Sequence, residues 1–380
     1  MAENHPKIRG DLHFQQALHE GTRIVVIQDP LGILSSPIGV SEIFANLLPL
    51  MDGSRSVEDI EAFLEEVLPG KLPEGLIREG IIGLEKAGVF ENASYWRKRK
   101  KILDDYARLE IREPSHANLA YEGDPQALSE WLDMLLSGPD GLFDGPPRVL
   151  VAPHIDFRVN TSVYTKAYHL LKGHHYDRVV LMGTGHSILD GLYCLTQKDL
   201  ATPLGITPND RVSVEKLQHA GGNLIAPNDF PHRNEHALEF QMIFLQHLLG
   251  PGDFQVVPIL CGSIDRYKAH CPRLGVVTEL APFLDTLRSV IYEDGRKTLV
   301  VAGIDFSHIG LRFSHSVPAV EMMEETRRHD RDLIQAFTDW DAESFWNAEK
   351  KTGGCFNVCG FSTLATILEV VNTGPAKCLA

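Results

Sequence analysis

Three short apolar runs, each closing on a histidine, do most to limit what this chain can fold into. They are VLVAPHID at 149–156, RVVLMGTGH at 178–186 and TLVVAGIDFSH at 298–308. Uninterrupted apolar runs of this length, with no polar alternation, read as strands buried on both faces, the pattern of a parallel sheet. A fourth run of the same kind lies at 255–260. The spacing predicts strands over 148–151, 178–182, 255–260 and 298–302 and helices over 162–172, 234–249, 318–337 and 361–371. Alternating strands and helices predict an α/β fold, a mainly parallel sheet with helices on both faces. Ligand sites in such sheets form beyond the carboxyl ends of the strands. His154, His186 and His308 each follow a strand by a few residues, and Asp305 shares the loop of His308. Three loops far apart in sequence can therefore deliver imidazoles to one crevice.

A different pattern precedes this region. Residues 1–95 read as a small α+β unit, with strands at 23–28 and around 33–40 joined through Asp29-Pro30-Leu31-Gly32. Helices are expected over 41–51, 57–68 and 76–86. A charged connecting helix over 94–110 makes 96–111 a linker and 112–380 the second domain. Its basic run, Arg97-Lys98-Arg99-Lys100-Lys101, reads as a solvated helix face. The formal charge of −15 over 380 residues argues against nucleic acid or an anionic membrane as partner. No apolar run approaches the ~20 residues of a membrane-spanning helix, and MAENHPKIRG has no signal-peptide core. Six cysteines without regular spacing do not make a disulfide framework, which points to a reducing cytoplasm.

A cysteine in that setting matters as ligand or catalyst. In Cys355-Phe356-Asn357-Val358-Cys359-Gly360, Cys359 falls at or just before the N-terminus of the helix starting at Phe361. The helix field there favours thiolate. Cys194, Cys261, Cys271 and Cys378 read as small apolar fillers. A second segment, His232 to His236, spells H-x-x-E-H, the inverted zinc-peptidase pattern. That chemistry needs both histidines on one helical turn, with Glu235 as base. Pro231 and an N-cap at Asn234 would leave His232 in the loop, so the peptidase is the second reading.

Taken in order, the motifs resemble the Memo family, also called AmmeMemoRadiSam system protein B. They are REPSHANLAYEGDP (112–125), VAPHIDF, VVLMGTGHS, LATPLGITPND (200–210), HRNEHALEFQMIFLQ, VVPILCG, GIDFSHIGLRF (303–313) and CGFSTLATIL (359–368). The resemblance implies the fold of the class III extradiol dioxygenases (LigB-like). It implies one transition metal ion, iron first and copper second, held by His154, His186 and Cys359. It makes His308 the acid/base, with Asp305 orienting it, and Glu235 and His236 crevice-lining residues. The implied function is a metal-dependent oxidoreductase acting on a small molecule or peptide; a non-catalytic component docking a radical-SAM partner is the alternative. Two departures stand out. APHIDF replaces the commoner APHAGY, so Asp156 and Arg158 put charge beside the first ligand, and the chain ends where the family usually continues, which suggests a truncated C-terminus. The first unit is similar to small winged-helix domains of the peptide-binding PqqD type, on LLPLMDGSRSVEDI and IIGLEKAGVFE.

Overall fold

The computed structural model describes residues 5–67, 75–138, 145–372 and 376–379. Leu68, the last residue expected in the helix at 57–68, lies outside them, as do Pro375 and Ala380 of the chain end. The chain divides into two compact units, one running to Arg108 and the other from Leu109 onward, with Ser314–Ser316 grouped with the first.

The first unit opens with an antiparallel sheet of β1 (His13–His19), β2 (Thr22–Gln28) and β3 (Ile38–Ser41), in that order. The sequence gives β1 no signal, because HFQQALH is an edge strand with most side chains exposed and therefore no apolar alternation. Its hairpin turn, Glu20-Gly21, has φ of 50° and 77°, the two positive values that match strand twist. The helix expected over 41–51 is a short α1 (Glu42–Ala45) and a separate 3-10 turn at Leu48–Leu50. Pro49 lacks the N–H that a continuous helix would need. Then come α2 (Val57–Val67), α3 (Leu76–Ala87) and α4 (Ala93–Ala107), and Ile27, Met51, Ile60, Ile81 and Val89 form the unit's own core.

The second unit carries the four strands expected, each within two residues of its predicted ends. Helix α5 (Pro125–Leu135) follows the two-residue β4 (Ile111–Arg112), and β5 (Val149–Ala152), α6 (Ser162–Tyr168) and β6 (Arg178–Thr184) come next. After β7 (Tyr193–Leu195), β8 (Asp199–Thr202), β9 (Gly205–Thr207) and α7 (Arg211–Gly221), the chain enters α8 (His236–Leu249) and β10 (Gln255–Cys261). It finishes with α9 (Asp265–Lys268), α10 (Ala281–Tyr292), β11 (Thr298–Gly303), α11 (Ala319–Thr338), α12 (Ala342–Thr352) and α13 (Phe361–Val370). The main sheet has the order β5-β11-β6-β10-β7, parallel except for β7 at its edge. A smaller sheet pairs β4, β8 and β9.

Successive side chains of a strand point to opposite faces, and the two cores follow from that. Val179 and Leu181 of β6 join Leu150, Val301, Tyr164, Phe240 and Phe244 on the face covered by α6 and α8. Val180 and Met182 join Val300, Ala302, Leu284, Leu287 and Leu364 on the other. Strand order then decides where the site forms. β11 lies between β5 and β6, so the loops bearing His154, Asp305/His308 and His186 leave three adjacent strands at the same end of the sheet.

Candidate metal centre

His154 is built in from three directions. Its backbone N–H donates to Asp305 Oδ1 at 3.1 Å, and its Nδ1 donates to the Gly303 carbonyl at 3.1 Å. The preceding carbonyl, Pro153 O, accepts from Gln241 Nε2 at 2.9 Å, while Gln241 Oε1 accepts from the Tyr168 hydroxyl at 2.7 Å. With Nδ1 committed, Nε2 is the nitrogen left to face Cys359 Sγ, 3.5 Å away. His154 itself is 2% exposed.

His186 is held by Glu235. The carboxylate accepts from the His186 backbone N–H at 3.0 Å and from its Nδ1 at 3.0 Å. Glu235 also caps α8, accepting from the Ala237 N–H at 3.0 Å. The N-cap expected at Asn234 is therefore Glu235, whose side chain reaches the free amide of the first turn. A histidine ring fixed through one nitrogen by a carboxylate or carbonyl, presenting the other, is the arrangement found behind metal-ligating imidazoles.

Cys359 sits one residue before Gly360, the cap of α13. Gly360 is required there by close approach, since a Cβ would lie 2.5 Å from Ile304 Cβ and 2.9 Å from Asp305 O. Burial alone would raise the thiol pKa, but hydrogen bonds from His154 and His186, together with the charge of His154, outweigh it and bring it down to about 5. Burial likewise opposes charging His186, yet Glu235 and Cys359 hold its pKa up at about 10. His154 is raised in the same sense despite its burial, chiefly by Cys359. Cys355, four residues earlier, is exposed, and its pKa is raised by desolvation and by Glu349.

Among the described residues, two groups of donors come within 4.8 Å of one another: His154, His186 and Cys359, and His186, Glu235 and His236. The first fits a tetrahedral ion. Metal–nitrogen bonds of about 2.1 Å and metal–sulfur bonds of about 2.3 Å place nitrogen and sulfur about 3.6 Å apart, close to the 3.5 Å between His154 Nε2 and Cys359 Sγ. Asp305 stands at the edge of this group, its Oδ2 3.6 Å from His154 Nε2 and 4.0 Å from His308 Nε2. The ring of His308 is oriented by the Phe306 carbonyl, 2.9 Å from Nδ1. Its backbone is clasped by Phe356 O at 2.8 Å and by Asn357 Nδ2, which donates to His308 O at 3.2 Å. Asn357 does this from a left-handed φ of 50°.

The other expected residues have more modest places. The rings of His236 and His186 stack with centroids 5.0 Å apart, and His236 is also 5.0 Å from His154. Arg158 turns to solvent and pairs with Asp156, Nε to Oδ1 at 2.9 Å. His232 lies in a separate 3-10 turn, Phe230–His232, off the α8 face, and is 2% exposed. Its Nε2 donates to Cys194 O at 3.0 Å, and burial pushes its pKa down to about 4. The H-x-x-E-H residues therefore do not converge as a peptidase site, and His232 belongs to neither donor group.

Sequence reading missed a buttress behind Glu235. Buried Arg112 donates to His232 O and Glu235 O, each at 2.9 Å, and pairs with Glu239 one turn along α8. Glu239 also accepts from the Tyr121 hydroxyl at 2.5 Å and the His116 N–H at 2.8 Å. Arg112, His116 and Tyr121 all lie in the 112–125 motif, but a lone arginine or tyrosine carries no spacing that would have marked it.

Residues 112–379 match the family described as "Memo-like protein". The chain belongs to the Memo family. A "MEMO1 family protein" of Aquifex aeolicus is 28% identical over 348 residues, 91% of this chain and 87% of that protein. That span is longer than the family match and so reaches ahead of Arg112. A "MEMO1 family protein" of Aeropyrum pernix is 27% identical over 69% of this chain and 88% of its own. The "Protein memo-1 homolog" of Caenorhabditis elegans is 24% identical over 68% of this chain and 70% of its own. The Memo part is thus the second unit, which holds every residue of the candidate centre.

Proposed function

We propose that this Memo-family protein is a metal-dependent oxidoreductase whose ion, iron first and copper second, is held by His154, His186 and Cys359. The observation that carries the reading is the pair of oriented imidazoles facing a thiol whose pKa is brought down to about 5. Two nitrogens and a thiolate make a soft set, better suited to iron or copper than to magnesium or calcium. A redox-active ion bound there would supply electron transfer and Lewis acidity. The chain supplies the rest. His308 presents Nε2 at the crevice as proton donor or acceptor, and Asp305 fixes the first ligand through its backbone. Glu235 fixes the second, and His236, Asp156 and Arg158 line the approach for a small molecule or peptide. The LigB-like dioxygenase fold is part of this reading, supported by a parallel sheet with its donors beyond the strand ends. A low-pKa thiolate survives best in a reducing compartment, so we place the protein in the cytoplasm; among the described residues no helix is long and apolar enough to cross a membrane.

The first unit, compact around its own core, is on its sequence resemblance alone a winged-helix peptide-binding module that would dock a radical-SAM partner. The metal reading is tested with nitric oxide, an oxygen surrogate, on protein loaded anaerobically with ferrous iron. A new electron paramagnetic resonance signal is expected, lost in Cys359→Ser; no signal in the wild type would contradict an iron site with open positions.

A further inference from the structure

The H-x-x-E-H segment fails as a peptidase site, yet two of its residues enter a donor group with a different third member. Glu235 Oε1 lies 3.0 Å from His186 Nδ1 and 3.2 Å from His236 Nδ1. All three donors fall within 4.8 Å of one another. Bonds of about 2.1 Å at a tetrahedral angle put neighbouring donors about 3.4 Å apart, so the two Glu235 distances already fit, and the His186 and His236 rings, 18° from parallel, must tilt toward a common point to close on an ion. We propose that the crevice holds a second metal position, formed by His186, Glu235 and His236, with His186 shared between the two.

The sharing follows from which nitrogen faces which way. Nδ1 of His186 is turned to Glu235, which leaves Nε2 for the group containing Cys359. One imidazole can then bridge two ions, one on each nitrogen. The second ion takes the place of the protons that His186 and His236 direct at the carboxylate, and those protons leave to solvent. The geometry favours occupancy from outside: the side chains of His186 and His236 are 37% and 32% exposed, whereas Glu235 is 3% exposed and lies behind them. The buried carboxylate already accepts the backbone N–H groups of His186 and Ala237, and a cation between the two rings would keep it paired once the imidazole protons have left. The chemistry also separates the positions. Two imidazoles and a carboxylate suit a borderline divalent ion such as zinc, whereas the thiolate position is softer.

The inference rests on the thiolate-containing centre only for the identity of the neighbour, and the test reads the two separately. Cobalt(II) is titrated into metal-free full-length protein, with bound equivalents counted and the thiolate-to-cobalt absorption band followed. Two equivalents are expected, one accompanied by the band and one not. His236→Ala should keep the band and fall to one equivalent. Cys359→Ser should lose the band and keep the equivalent that depends on His236. A wild type that binds one equivalent with the band overturns the second position. So does a second equivalent that persists in both His236→Ala and His236→Gln, which would place that ion elsewhere. A wild type without the band counts against the thiolate centre, and the His236-dependent equivalent is scored independently of it.

Discussion

Cys359 and Cys355 are four residues apart and opposite in character. At a pKa of about 5, Cys359 is thiolate throughout the neutral range in metal-free protein, whereas the Cys355 thiol is raised above its ordinary value. Reactivity per thiolate falls as pKa falls, so absolute alkylation rates at neutral pH do not separate the two. The pH dependence does. Between pH 6 and 8, iodoacetamide labelling of Cys359 should stay nearly flat, while that of Cys355 should rise about tenfold per unit. Bound metal should protect Cys359 alone, and mass-spectrometric mapping reads both. A second residue-scale prediction concerns His232. Its pKa is about 4 in the fold and ~6.5 in the unfolded chain. Between those values the unfolded state binds more protons, so stability falls as pH drops from about 6.5 to 4. The full effect is on the order of 3 kcal/mol, and His232→Gln should flatten this part of a denaturation-versus-pH series. The candidate donors stood out in the sequence because each follows an apolar run or precedes a helix, and the fold brings them within 4.8 Å of one another. Glu235 as anchor of His186 was not, since its partner lies 49 residues away and only the fold joins them.

At the scale of elements, α8 sits hard against the sheet, and that closeness brings Glu235 to His186. Gly303, at the end of β11, makes it possible: a Cβ there would lie 2.2 Å from Ala237 O and 2.7 Å from Gln241 Nε2. A backbone oxygen cannot swing aside as a flexible side chain can. Gly303→Ala should therefore cost about 1–3 kcal/mol and also weaken metal binding, because α8 must back away. Gly252→Ala, with nothing within 4 Å of its Cβ, serves as control in urea denaturation and should stay within about 0.5 kcal/mol of wild type. Equal stability of the two variants would contradict the close packing of α8. The parallel strands were readable because they are buried on both faces and so continuously apolar. The edge strand β1, exposed along most of its length, had no such signature. The helix expected over 41–51 was lost to a proline whose effect outweighed apolar spacing.

For the whole molecule, the decisive fact is one that periodicity does not carry. Apolar runs announce strands but not their order, and the order β5-β11-β6 is what puts three histidine loops side by side. The second unit then does for Cys359 what the strands do for the histidines. α13 begins beside β11, with Gly360 donating to Asp305 O at 3.0 Å, and the thiol reaches the same crevice from a helix. The central claim is that these three side chains hold a metal ion, and metal analysis of protein purified without oxygen tests it most directly. Wild type should carry iron or copper, a His154→Ala/His186→Ala double variant should fall to background, and both should show the same folded circular dichroism. Equal metal content in the two proteins would contradict the account.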